Sequence, residues 1–148
     1  TAANETLAGG GGVDRAVHLA AGPELVVASR ALAPCAAGGA VITPAFALSP
    51  VRWVIHAVGP YYTGLQDGSL LAGAYTASLA RADEVGARTI AFPSISTGAY
   101  RYPKREAARI SVAALRGATT DVEVATLVAL ETSTYNLWAW ELGLRPLL

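Results

Sequence analysis

The stretch "AGGGGVDRAVHLAAG", Ala8 to Gly22, sets four consecutive glycines directly before Val13 and Asp14 and a segment that reads as a helix. Glycine loses more backbone freedom on folding than any other residue, so a run of four is costly unless something must come close to the main chain. The run therefore marks a place of close ligand approach, with a carboxylate beside it.

Outward from this run the chain alternates between helical and extended patterns. Val13 to Ala20 and Glu24 to Leu32 read as helices, the second opening after Pro23, a residue suited to a first turn. "AVIT" at 40–43 and "VRWVIHAV" at 51–58 are short and rich in β-branched residues, as strands are. From Ser69 to Val85, Leu71, Tyr75, Leu79, Ala82 and Val85 recur at helical spacing on one face, and Gly86 supplies a stop. "TIAFPSIS", Thr89 to Ser96, begins as a buried strand that Pro93 ends, because proline cannot donate to a ladder. Lys104 to Leu115 follows Pro103 as a helix. "VEVATLVAL", Val122 to Leu130, is nearly all apolar and is expected to be a strand covered on both faces. Thr132 to Leu142 closes the pattern as an amphipathic helix. The order α, α, β, β, α, β, α, β, α is that of a three-layer α/β fold.

Composition bounds what such a domain can do. The chain has 148 residues, a single-domain length, with 11 Lys and Arg against 11 Asp and Glu. A zero net charge leaves no broad electrostatic footprint for nucleic acid, and the one local basic cluster is "YRYPKREAAR", Tyr100 to Arg109. The single cysteine, Cys35, excludes an internal disulfide, favours the cytoplasm, and is expected to be a buried filler. No apolar run approaches the roughly 20 residues of a membrane span, and no secretory signal is visible. His18 and His56, inside a helix and a strand, read as structural residues, and two His with one Cys at no ligand-like spacing argue against a structural zinc site.

In α/β folds ligands sit beyond the carboxyl ends of the strands, where loops pass into helices. Two loops qualify here: the glycine run before Val13, and "PSISTGAYRYP", Pro93 to Pro103. Both lead into helix N-termini, whose unpaired amides and positive dipole ends favour anions, phosphates above all. Two such loops in one small domain point to a diphosphate or a nucleotide. The phosphate-binding pattern GxxxxGK[ST] is absent, and the glycines are not spaced as GxGxxG. Composition by itself stops at a phosphate-containing ligand.

"TAANETLAGGGGVDRAVHLAAG", "VRWVIHAVGP" and "IAFPSISTGAYRYP" together resemble the macrodomain family, in the branch that removes ADP-ribose from modified proteins and deacetylates O-acetyl-ADP-ribose. The resemblance spans nearly the whole chain, with its motifs in order. It implies an α/β/α fold around a mixed central sheet, no cofactor and no metal, and ADP-ribose, O-acetyl-ADP-ribose and ADP-ribosylated proteins as partners. Carried over by position, Asn4 matches the asparagine that hydrogen-bonds the distal ribose and Asp14 the acidic residue of the catalytic loop. Gly10, Gly11, Gly12 and Val13 match the loop that lies against the distal ribose and diphosphate. Ser96, Thr97, Gly98, Ala99 and Tyr100 match the second diphosphate loop, with Tyr100 packing near the distal ribose. Either Asp14 or the substrate's own phosphate would orient the attacking water. A reader module that binds ADP-ribose without turnover is the alternative from a different class.

Three positions depart from the family pattern. The family's strand and adenine-contacting acidic residue upstream of "AAN" lie outside this sequence, so another segment is expected in that strand's place unless the sequence is incomplete. Leu130 stands where an aromatic can stack on adenine, and Arg101 replaces a usual glycine.

Overall fold

The computed structural model describes residues 1–147. In chain order the elements are β1 (Ala2–Ala3), α1 (Gly12–Ala21), α2 (Glu24–Arg30), β2 (Ala40–Pro44), β3 (Trp53–Val58), α3 (Ser69–Glu84), β4 (Thr89–Phe92), α4 (Lys104–Gly117), β5 (Val124–Leu127) and α5 (Thr132–Glu141). The strands form a mixed arrangement in two parts. In the first, β3 is central, parallel to β1 and antiparallel to β2; in the second, β4 and β5 are parallel.

The two-residue period of β3 separates the helical layers. Ile55 and Ala57 face a core of Leu71, Ala74, Tyr75 and Leu79 from α3 and Ala107 and Ile110 from α4, which also takes Phe92 of β4. Val54, on the opposite face, packs with Ala21 and Leu25 of α1 and α2, while Val58 meets Leu7 and Cys35. The strand is thus covered on both sides, and the order of elements gives the expected α/β/α layering. Cys35 is a buried filler, as its surroundings require.

The α3 stripe read from the sequence is the buried one: Leu71, Tyr75, Leu79 and Ala82 are almost fully enclosed. Gly86 ends the helix region with φ +68, its N–H donating to the Asp83 carbonyl at 3.1 Å. β4 stops at Phe92, immediately before Pro93.

Two expectations are corrected. The strand expected over 122–130 spans only Val124–Leu127, and Val124, Ala125 and Thr126 are exposed rather than covered on both faces. β5 pairs only with β4 among the described residues, and Leu127 alone of the strand packs into the layer made by α4 and α5. Its apolar composition therefore overstated its burial. α5 buries a narrow stripe of Thr134, Trp138 and Ala139, while Tyr135 and Trp140 face outward, so the helix is less cleanly amphipathic than its sequence suggests. Sequence reading also missed β1, whose two alanines carry no periodic signal.

No hydrogen-bonded pairing joins the two parts of the sheet among the described residues. No described helix is long and apolar enough to cross a membrane.

The attachment of α5 to α4 rests on a buried hydrogen bond from Trp138 Nε1 to Ser111 Oγ, 2.9 Å long, amid Ala108, Val112 and Leu127. Ser111→Ala strands the indole N–H in an apolar setting and is expected to destabilise by about 1–3 kcal/mol in urea unfolding. In a Trp138→Phe background the same substitution should cost far less, because no donor is left to strand.

Candidate functional site

The site is built where strands end. Ala3 of β1 sits opposite Val58 of β3, so Asn4 and Gly59 leave the sheet side by side. A side chain at Gly59 would meet Ser96 Oγ at 2.1 Å and Ile95 Cγ2 at 2.5 Å, so only glycine lets the loop after β4 close onto the end of β3. The two loops singled out in the sequence are thereby linked through one bare backbone position.

The first loop holds the carboxylate and the amide. Gly9 and Gly12 adopt φ of +84 and +58, a region that L side chains rarely enter, which turns the chain from Asn4 into α1. A methyl group added at Gly10 would lie 3.6 Å from both Asn4 Nδ2 and Asp14 Oδ2, so amide and carboxylate converge on this one glycine. Gly11 and Gly12 have open space where a side chain would project, and Val13 is exposed. Asn4 is held by its own turn: Nδ2 donates to the Gly9 carbonyl at 3.4 Å, and Oδ1 accepts from Thr6 Oγ1 at 2.7 Å.

Asp14 is the third residue of α1 and caps nothing, since the helix is entered through Gly11 without a side-chain cap. Only 2% of it is exposed. Its Oδ1 accepts from Thr1 Oγ1 at 3.1 Å and lies 3.7 Å from His18 Nε2, one helical turn on. The His18 ring lies 3.8 Å from where a Cβ on Gly9 would sit. His56 comes to the same place from β3, its Nε2 within 2.9 Å of Thr43 Oγ1 on β2. Asp14, His18 and His56 each bring a ligand-type atom within 4.8 Å of the others. Sequence reading took both histidines as structural hydrogen-bonding residues, and His56 is bonded to Thr43 in that way; the four-residue spacing of Asp14 and His18 also stacks those two on one helix face.

The second loop is held by its backbone. Tyr102 N–H donates to the Ser96 carbonyl at 2.8 Å, and Arg101 N–H to the Gly98 carbonyl at 3.0 Å. Tyr75 OH, buried beneath, accepts from Ile95 N–H at 3.2 Å and donates to the Pro93 carbonyl at 3.4 Å. Burial pushes this phenol up to about 12, so it stays a neutral bridge. Ser96 is buried with φ +66, and its hydroxyl has no partner within the protein. Thr97 Oγ1 donates to Ser94 Oγ at 2.7 Å, Gly98 opens on free space, and Ala99 is exposed. Tyr100 packs against Tyr61 with ring centroids 5.6 Å apart, and its carbonyl accepts from Tyr62 N–H. α4, which this loop enters through Pro103, also starts without a side-chain cap. Leu130 is fully exposed and Arg101 is exposed with φ +61.

An α/β domain that presents two glycine-bearing loops and two uncapped helix starts at the ends of its strands is built for an anion. The chain matches the family model described as Macro domain over residues 1–111 and belongs to that family. It is 47% identical to a macro domain-containing protein from Streptomyces nogalater, over 96% of this chain and 82% of that protein. It is 52% identical to one from Ralstonia nicotianae over 82% of this chain and 72% of that protein. Among solved structures, the Oceanobacillus iheyensis macrodomain with ADP superposes with a TM-score of 0.90 at 37% identity, covering 97% of this chain and 80% of that one. The Trypanosoma brucei macrodomain in complex with ADP-ribose gives 0.88 at 31% identity, covering 97% and 62%.

Two expectations follow from the geometry. His56 is held down to about 4, first of all by burial and also by nearby His18. Below about pH 6.5 the unfolded chain takes up a proton that the folded one refuses, so stability is full above pH 6.5 and declines as pH falls to 4, by up to about 3 kcal/mol. His56→Gln should flatten that decline in urea melts across this window. At Arg101 the left-handed backbone strains an L residue. Arg101→Gly should raise stability by up to about 1 kcal/mol, seen as a higher urea midpoint at unchanged slope.

Proposed function

We propose that the protein binds ADP-ribose across the two loops and hydrolyses the ester that links it to acidic side chains, or the acetyl ester of O-acetyl-ADP-ribose. One observation carries the reading: Asn4 Nδ2 and Asp14 Oδ2 converge on Gly10, beside a stretch of backbone with open space above it. The solved neighbours with ADP and ADP-ribose support the ligand class.

In this reading the diphosphate lies along Gly10 to Val13 and Ser96 to Tyr100, where the first-turn amides of α1 and α4 supply donors and a favourable dipole. Ser96 Oγ, buried and without a protein partner, is a ready donor to a phosphate oxygen. Asn4, fixed by Thr6 and Gly9, offers its amide to the distal ribose and sets the ester beside Asp14. The Asp14 carboxylate accepts a proton from the attacking water or orients the water for a phosphate oxygen to deprotonate it. Enclosure of the carboxylate keeps competing bulk water away and strengthens its pull on the one molecule it holds.

The proposal separates binding from turnover. The loops hold the diphosphate equally in ground and transition states, whereas Asp14 acts on groups whose charge changes during reaction. Asp14→Ala should lower ester hydrolysis about a hundredfold or more while affinity for ADP-ribose holds or rises. The check is turnover of a mono-ADP-ribosylated protein alongside calorimetry with ADP-ribose. Hydrolysis at the parent rate in Asp14→Ala would place the base elsewhere, and a parent protein that binds but turns nothing over would be a reader.

A further inference from the structure

We propose that Asp14, His18 and His56 form a binding site for one divalent first-row transition ion of the zinc class. The three residues come from α1 and β3, and a ligand-type atom of each lies within 4.8 Å of the other two. Two imidazoles and one carboxylate are a donor set suited to zinc and its neighbours, and poorly suited to magnesium or calcium, which take oxygen.

The strongest single observation is the orphaned nitrogen of His56. The residue is fully enclosed, its Nε2 is engaged with Thr43 Oγ1 at 2.9 Å, and its Nδ1 has no partner within the protein. A buried ring nitrogen without a partner forfeits a hydrogen bond's worth of stabilisation, and a metal ion would use its lone pair. With Nε2–H donating to Thr43, the ring is already held from behind in the way metal-bound histidines are, by an outer partner that fixes tautomer and orientation.

The Asp14–His18 pair is spaced close to what an ion needs, and His56 lies within 4.8 Å of both. Tetrahedral zinc, with bonds of about 2.0–2.1 Å, sets its ligand atoms about 3.4 Å apart. Asp14 Oδ1 and His18 Nε2 are 3.7 Å apart. Three protein ligands leave the fourth position for water. Sequence spacing hides the site, because His56 is brought to the Asp14–His18 pair by the packing of α1 and α2 on β3.

The consequence for turnover rests on the functional reading above, the binding itself does not. An ion at this site takes the Asp14 carboxylate, so zinc should slow hydrolysis while the glycine and serine loops still hold ADP-ribose. The direct test omits nucleotide. Metal-free protein is titrated with Zn²⁺ by calorimetry and with Co²⁺ by visible absorption. One equivalent of each ion should bind, with a ligand-field band for cobalt. His18→Gln and Asp14→Asn, checked for fold by circular dichroism, should abolish the one-equivalent phase, and Thr43→Val should weaken it about ten- to a hundredfold. His18, at the edge of the cluster, keeps the test valid should a His56 variant fail to fold. Absence of stoichiometric binding to the parent, or binding that persists unchanged in His18→Gln, overturns the proposal. Both outcomes are read without an ester substrate, so a failure here and a failure of the hydrolase reading are separate results.

Discussion

The site depends on the contact between the backbone of Gly59 and the Ile95–Ser96 turn. With 2.1 Å from a would-be Cβ to Ser96 Oγ, no side chain fits between the end of β3 and the loop after β4. That closeness brings together two loops that belong to different parts of the sheet, which no backbone ladder joins among the described residues. The packing of α3 and α4 over Ile55, Ala57 and Phe92 holds the same two parts from one side. Close packing transmits position over short distances because interiors have little slack. The spacing between the two loops is thus set by a bare backbone position at the end of β3.

The two loops reach a similar end by opposite means. The first is loose in composition and steadied by its ends: Asn4 is tied back to Gly9 and Thr6, and Asp14 is anchored in α1 under Thr1. The second is held throughout, by Tyr102 N–H on Ser96, by Tyr75 under Ile95, and by Tyr62 N–H on the Tyr100 carbonyl. A loop with bare glycines lets a ligand lie on the main chain, and a loop pinned from below keeps its shape while strained residues persist in it. Ser96 and Arg101, both with positive φ, sit in the pinned loop. Such strain survives only where the surroundings over-determine the backbone.

Much of this was legible in the sequence wherever one physical signal dominated. The α3 stripe follows from helical spacing, the end of β4 from Pro93, and the two glycine-bearing loops before uncapped helix starts from composition. β5 was misread because a run of valines, leucines and alanines carries no statement about which face another element will cover. β1 was missed because two alanines have no period, and its existence is decided by the edge of β3 alone. The departure of Asn4 and Gly59 side by side from adjoining strands is a tertiary fact of the same kind. The second loop's residues were named as a set from their place before a helix start, but the orphaned Ser96 hydroxyl and the left-handed turns needed coordinates.

The clustering of Asp14, His18 and His56 is the sharpest case of what spacing cannot say. Each residue alone has an ordinary explanation: a helix-start carboxylate, a helix-surface imidazole, a strand histidine bonded to a threonine. Together they bring one carboxylate and two imidazoles within 4.8 Å of one another, with Asp14 and His56 buried and His18 at the edge. In such a place a carboxylate must be satisfied by hydrogen bonds, by a cation, or by a reacting molecule, since an isolated buried charge is too costly to persist. Within the protein Asp14 has the Thr1 hydroxyl on Oδ1 and His18 beyond hydrogen-bond range, while Oδ2 faces Gly10. The carboxylate is therefore divided between two surroundings. Its inner oxygen belongs to the histidine cluster and its outer oxygen to the glycine backbone and Asn4. In the proposed reaction, an occupant of the inner side would set how much negative charge the outer side offers to a water molecule, coupling the cluster to the loops through a single functional group.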